Sequence, residues 1–118
     1  MRAQQALGQY GEQLAAEHLV RRGLTILERN WRCPTGELDI IARDGACLVV
    51  VEVKTRRGHS FGTPLDAVGP RKVRRLRELA LRWLDEQRVH APEIRFDVIG
   101  ILQPPGGRPV LEHLVGVA

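Results

Sequence analysis

The chain is poor in aromatics, sulfur and lysine. Phe, Trp and Tyr together supply five of its 118 residues, too few for an extended platform on which bases could stack. Trp31 and Trp83 therefore read as core residues. Cysteine occurs only at Cys33 and Cys47, which excludes a disulfide framework and any zinc-ligand spacing. No apolar run approaches the roughly 18–20 residues of a membrane span. The opening "MRAQQALGQYGEQ" has no signal-peptide core either. These absences predict a reduced, cytoplasmic protein with no membrane partner. At 43% hydrophobic and 27% charged residues the composition is that of a folded chain. Its length suits a single domain over residues 1–118.

Negative charge is scarce in one region. Residues 56–82 carry Arg56, Arg57, Arg71, Lys72, Arg74, Arg75, Arg77 and Arg82 against Asp66 and Glu78. That local balance of +6 leaves the rest at −2 within an overall +4. Sixteen of the eighteen basic residues are arginine. The clustering points to an anionic partner. "PRKVRRLRE" also places cations in the first turns of a helix, where the backbone dipole disfavours them. Phosphate contact through Arg71, Lys72, Arg74 and Arg75 would explain the cost.

Periodicity organises the remainder. Residues 3–22 fit an amphipathic helix with Ala3, Leu7, Tyr10, Leu14 and Ala15 on its buried face, Gly8 and Gly11 beside them and Gly23 as C-cap. Strands are expected at 24–32, at "ELDIIA", at 47–55, at "IRFDVIGI" and at "VLEHLV". Pro70 opens a second helix running to about Arg88. The loop "RRGHSFGTP" precedes it, with a helical turn at 64–67. The order is α-β-β-β-α-β-β.

The strand "CLVVVEVKT" poses the chemical question. A β-branched run of this kind is buried on both faces, yet it holds Glu52 and Lys54. Such charges need a partner or a metal. With Asp44-Gly45 as a two-residue turn, Arg43 pairs with Ala46, Asp39 lies opposite Val50 and Glu37 lies opposite Glu52. Glu37, Asp39 and Ile41 then share a face with Leu48, Val50, Glu52 and Lys54, while Leu38, Ile40, Val49, Val51 and Val53 line the other. Asp39 and Glu52 become diagonal neighbours about 7–8 Å apart. Clustered carboxylates repel, and a hard divalent cation removes the conflict; Mg²⁺ commonly takes one or two carboxylates with water and phosphate.

"GELDIIARD…LVVVEVKTR" resembles the PD-(D/E)xK nuclease signature, with Asp39 as its first acid and Glu52-Val53-Lys54 as its ExK. Leu38 stands where the signature's namesake has proline. Gly8, Gly11, Glu12 and Ala15 match the "GxxGExxA" of its Holliday-junction-resolvase branch. The whole chain is similar to the small bacterial YraN-type family. This resemblance implies an α/β, restriction-endonuclease-like fold, a mixed central sheet flanked by helices. It implies Mg²⁺ or Mn²⁺ held by Asp39, Glu52 and the Val53 carbonyl, with Glu37 ranked below them. Lys54 would position water and stabilise transition-state charge, and Glu12 would join as an additional catalytic acid. Arg56, Arg57 and the 71–75 cluster would bind nucleic acid, DNA ahead of RNA. Cleavage of a branched substrate would require a homodimer. The same residues allow two other readings: a non-catalytic DNA- or RNA-binding module, and a small assembly protein docking on an acidic partner.

Overall fold

A computed structural model describes residues 3–58 and 69–117. The elements are α1 (Ala3–Arg21), β1 (Thr25–Cys33), β2 (Gly36–Asp44), β3 (Cys47–Arg57), α2 (Pro70–Gln87), β4 (Glu93–Gln103) and β5 (Val110–Leu114). The predicted order is the observed one. The helical turn expected at 64–67 lies outside the described residues. No described helix is long and apolar enough to cross a membrane.

The five strands form one mixed sheet in sequence order. Adjacent pairs are antiparallel except β3 and β4, which run parallel. Parallel neighbours need a crossover, and α2 lies in that connection. Strand alternation splits the core in two. On β3, Val49 and Val51 join Ala15, Leu19, Ile99 and Ile101 on the α1 side. Leu48 and Val50 join Leu76, Leu79, Trp83 and Phe96 on the α2 side. An apolar β3 is the consequence: helices cover both faces. The mixed sheet flanked by two helices is consistent with a restriction-endonuclease-like fold.

Three local expectations change. The hairpin turn is Gly45-Ala46, because Asp44 itself pairs with Cys47. Gly45 has φ 60° and takes the first turn position, where a type II′ hairpin places glycine. The register therefore moves by two residues, which keeps the paired side chains of residues 40–44 and 47–51 on their expected faces. On α1 the buried stripe is Gly11, Ala15, Ala16 and Leu19 rather than one through Ala3 and Tyr10, which are exposed. A Cβ on Gly11 would stand 1.7 Å from the Thr55 hydroxyl, so only glycine lets the helix approach β3 this closely. Leu38 packs with Trp31 and Ile41 on the α2 side, not with Ile40. Its partner strand holds Asn30 at φ 53° between Arg29 and Trp31. A left-handed residue interrupts strand alternation, and Asn tolerates that conformation better than most.

A second carboxylate is buried at the far side of the sheet. Asp97 on β4 accepts from Arg95 Nε at 3.0 Å and Nη2 at 3.2 Å, and from Gly116 N–H at 2.9 Å. His113 Nε2 donates to it at 2.8 Å. Arg95 also donates to Asp44 at 3.1 Å, and His113 Nδ1 lies 3.1 Å from His18 Nε2 on α1. Burial pushes the Asp97 carboxyl up, but the bonds from Arg95, Gly116 and His113 outweigh it and hold the group below its ordinary value. An acid shifted downward stabilises the fold above its unfolded pKa and loses that contribution as pH falls below about 4. Asp97→Asn leaves Arg95 without its paired charge and is expected to cost about 3–5 kcal/mol near neutral pH. Denaturant unfolding of both proteins checks this; a loss under about 1 kcal/mol would contradict a structural role for the cluster.

Candidate functional site

The β2–β3 ladder ends at Ile40–Val51. One step further, the register sets Asp39 opposite Glu52, closer than the diagonal relation expected from the sequence. The backbone here serves a side chain: Val53 N–H donates to Asp39 Oδ2 at 2.9 Å. That is the hydrogen bond Asp39 receives among the described residues. In the β1–β2 ladder Asp39 lies between the pairs Arg29–Ile40 and Trp31–Leu38, level with the left-handed Asn30.

Asp39 is poorly compensated for a carboxyl in such a place. Burial raises its pKa to about 7, with the Glu52 charge as the next cause; the Val53 bond opposes both, and Glu12 and Glu37 add to the rise. Glu12 follows Gly11 on α1 and lines a groove with Val53 and Lys54. Glu37 also contributes to the field but spends its carboxylate on Arg32 at 3.2 Å and is largely exposed.

Glu52 is answered differently. Its side chain is 9% exposed, and Oε1 receives Lys54 Nζ at 3.6 Å and Lys72 Nζ at 3.3 Å. Lys54 comes from the same strand. Lys72 comes from the first turn of α2, a helix with no acid there and no side-chain cap. The sequence placed Lys72 among phosphate-binding residues; its ammonium instead meets the buried acid. Arg75 is likewise engaged, donating to the Thr35 carbonyl. Arg71 and Arg74 stay exposed on α2, and Arg56 and Arg57 stay exposed at the end of β3.

Two grooves flank these acids. One, of about 790 Å³, lies between α1 and β3 and is lined by Leu7, Gly8, Glu12, Lys54, Arg56 and Arg57 among others. The second, of about 640 Å³, lies between the β1–β2 turn and α2 and includes Arg32, Glu37, Lys72 and Arg75. Glu12, Val53, Lys54, Arg56 and Arg57 line the first and Glu37, Lys72 and Arg75 the second, whereas Asp39, Glu52, Arg71 and Arg74 line neither. Among the described residues no three His, Cys, Asp or Glu side chains gather as a metal cluster. Two carboxylates and a neighbouring backbone carbonyl constitute an all-oxygen donor set, which suits a hard cation that keeps its own waters. Sequence reasoning missed Lys72 as the partner of Glu52 and Asp97 as a structural hub. The first depends on tertiary reach. The second carried a usable signal, an acid inside the apolar run "RFDVIGI".

Asp39 makes a testable contribution to stability. A carboxyl whose folded pKa lies above its unfolded value favours folding most at low pH, and that contribution is lost as pH rises through about 4 to 7. Asp39→Asn removes the ionisation while keeping an acceptor for Val53 N–H. Without divalent cations, the variant is expected to gain up to about 4 kcal/mol over the parent at mildly alkaline pH. The difference should vanish towards pH 4. Thermal melts across this range check it, and parallel profiles would contradict the burial of an uncompensated acid.

Comparison with known proteins places the chain among relatives. Residues 11–101 match the model of "Uncharacterised protein family UPF0102". That span includes Glu12, both strands of the acid-bearing hairpin, and α2. A UPF0102 protein of Beutenbergia cavernae is 54% identical over 117 residues, covering 99% of either chain. One from Streptomyces griseus is 53% identical over the full length of both. A third, from Nocardia farcinica, is 56% identical over 96% of this chain and 89% of its own. With its matched segment spanning the acids and the basic helix, the chain belongs to the uncharacterised protein family UPF0102, the YraN-type family that its sequence resembles.

Proposed function

We propose that this protein binds nucleic acid and hydrolyses phosphodiester bonds with Mg²⁺ or Mn²⁺ held at Asp39 and Glu52. One observation carries the reading. Two carboxylates occupy facing positions at the end of the paired part of an apolar hairpin, and among the described residues Asp39 lacks the compensation that Asp97 receives. A fold with no use for that acid would be more stable without it. The Val53 carbonyl follows Glu52 on β3, beside the amide that Asp39 accepts from, and suits a third ligand, with Glu12 and Glu37 at the periphery. When bound, the cation supplies positive charge to the reacting phosphate and lowers the pKa of a coordinated water.

The protein's own groups do the rest. Lys54 is tethered to Glu52 yet opens onto the α1–β3 groove. Its ammonium orients the attacking water and stabilises charge that develops on the phosphoryl oxygens. Arg56 and Arg57 continue from β3 along the groove, and Arg71 and Arg74 stand at the start of α2. They hold the nucleic-acid backbone, DNA ahead of RNA, and this substrate belongs to the cytoplasm.

Lys54→Met separates an enzyme from a binding module. Lys72 still compensates Glu52, so the variant should fold and retain most of its duplex affinity. Single-turnover cleavage should fall by about 10²–10³-fold. Cleavage at the parental rate would end the assignment of Lys54, and a parent that binds duplex but cleaves nothing with either metal would leave a binding module.

Arg71→Gln combined with Arg74→Gln tests the basic face. Each lost phosphate contact flattens the dependence of log affinity on log salt by about 0.9. The double variant should therefore lose up to about 2 from that slope. Fluorescence anisotropy over a salt series measures it. An unchanged slope would put the binding surface elsewhere, and salt-insensitive binding in the parent would favour docking on an acidic protein.

A further inference from the structure

Lys54 and Lys72 are the only lysines in a chain with sixteen arginines, and both end on one oxygen of Glu52. The contrast is chemical as well as numerical. Arginine grips a carboxylate with a planar, bidentate fork, whereas lysine is a compact, hydrated point charge on a flexible stem. The buried Asp97 is held by an arginine fork. Among the described residues Glu52 is held by ammonium groups alone, compact and flexibly tethered counter-ions.

The two lysines differ in origin. Lys54 lies two residues from Glu52 on the same strand, 3.6 Å away, with its side chain 45% exposed. Lys72 comes from another element, with its side chain 40% exposed at the groove that also holds Arg32 and Arg75. A nearly buried carboxylate cannot be left without positive charge. A divalent cation between Asp39 and Glu52 would supply that charge, and it would repel an ammonium already on Glu52. We propose that Lys72 is a displaceable counter-ion: it occupies Glu52 in the cation-free protein, and on cation binding it swings to the groove and takes a phosphate of the nucleic acid. This inference rests on the cation site proposed above and adds a linkage to it. Cation and nucleic acid then bind with positive coupling, because each takes the partner the other must lose, and the coupling is reciprocal.

The cost of the closed state sets the size of the effect. A clasp closed nine-tenths of the time weakens apparent cation affinity about tenfold. In calorimetric titrations with Mn²⁺ alone, Lys72→Met should bind about tenfold more tightly than the parent. Lys72→Arg should bind less tightly than the parent, because a guanidinium holds the carboxylate more firmly. A labelled duplex oligonucleotide, titrated with and without Ca²⁺, reads the second half. Ca²⁺ should strengthen duplex binding by the parent, and Lys72→Met should lose most of that gain. Lys72→Arg keeps Glu52 compensated and guards against a variant that simply fails to fold. Equal Mn²⁺ affinity in the parent and both variants, or a Ca²⁺ gain untouched by Lys72→Met, overturns this inference alone. Absence of Mn²⁺ binding in all three overturns the cation site as well.

Discussion

A carboxylate inside an apolar strand has to be answered, and how each one is answered organises this protein. β3 is buried on both faces because helices cover both sides of the sheet, yet it carries Glu52 into that interior. The electrostatic cost of an unpaired buried charge runs to several kcal/mol. Two elements deliver an ammonium to the same oxygen in consequence. One of them is the first turn of α2, so a charge interaction ties the crossover helix to the strand it leaves. It also gives a use to a cation at the positive end of a helix, where the dipole alone would oppose it.

The molecule contains its own control. Asp97 lies in β4 beside β3, in an equally apolar run, and accepts four hydrogen bonds from an arginine fork, a histidine and a backbone amide. Its pKa is held down. Asp39 accepts one among the described residues and is pushed up to about 7. Asp97 is fully buried and Asp39 half-buried in the same sheet, but only the first has the surroundings of a structural ion. The second has a neighbouring acid in Glu52, with Glu12 and Glu37 adding to its field. Perturbed carboxyls in clefts mark functional sites more often than structural ones, and this contrast within one chain makes the inference stronger than either residue would alone.

Much of this was legible before the coordinates. The element order followed from periodicity, Pro70 and the turn glycines, and the faces of β3 followed from period-two alternation. The exact register did not, because "DG" suggested a turn with glycine second, whereas Gly45 takes the first position. The error was two residues, an even number, so Asp39 and Glu52 stayed together. The buried stripe of α1 was misread because Gly11 and Ala15 carry less hydrophobic signal than Tyr10; the helix packs by close backbone approach to Thr55. Asn30 and its left-handed backbone leave no composition mark, and neither does the reach of Lys72 from α2. Asp97 was readable by the reasoning applied to Glu52, since an acid in an apolar strand asks the same question wherever it occurs.

A crystal structure of the protein grown with Mn²⁺, with anomalous scattering collected to locate the metal, tests the central claim most directly. The account predicts a single strong peak between the carboxylates of Asp39 and Glu52, with the ammonium of Lys72 withdrawn from Glu52. A peak elsewhere, or none while Lys54 and Lys72 remain on Glu52, would contradict it and leave the acids as part of the architecture of the fold.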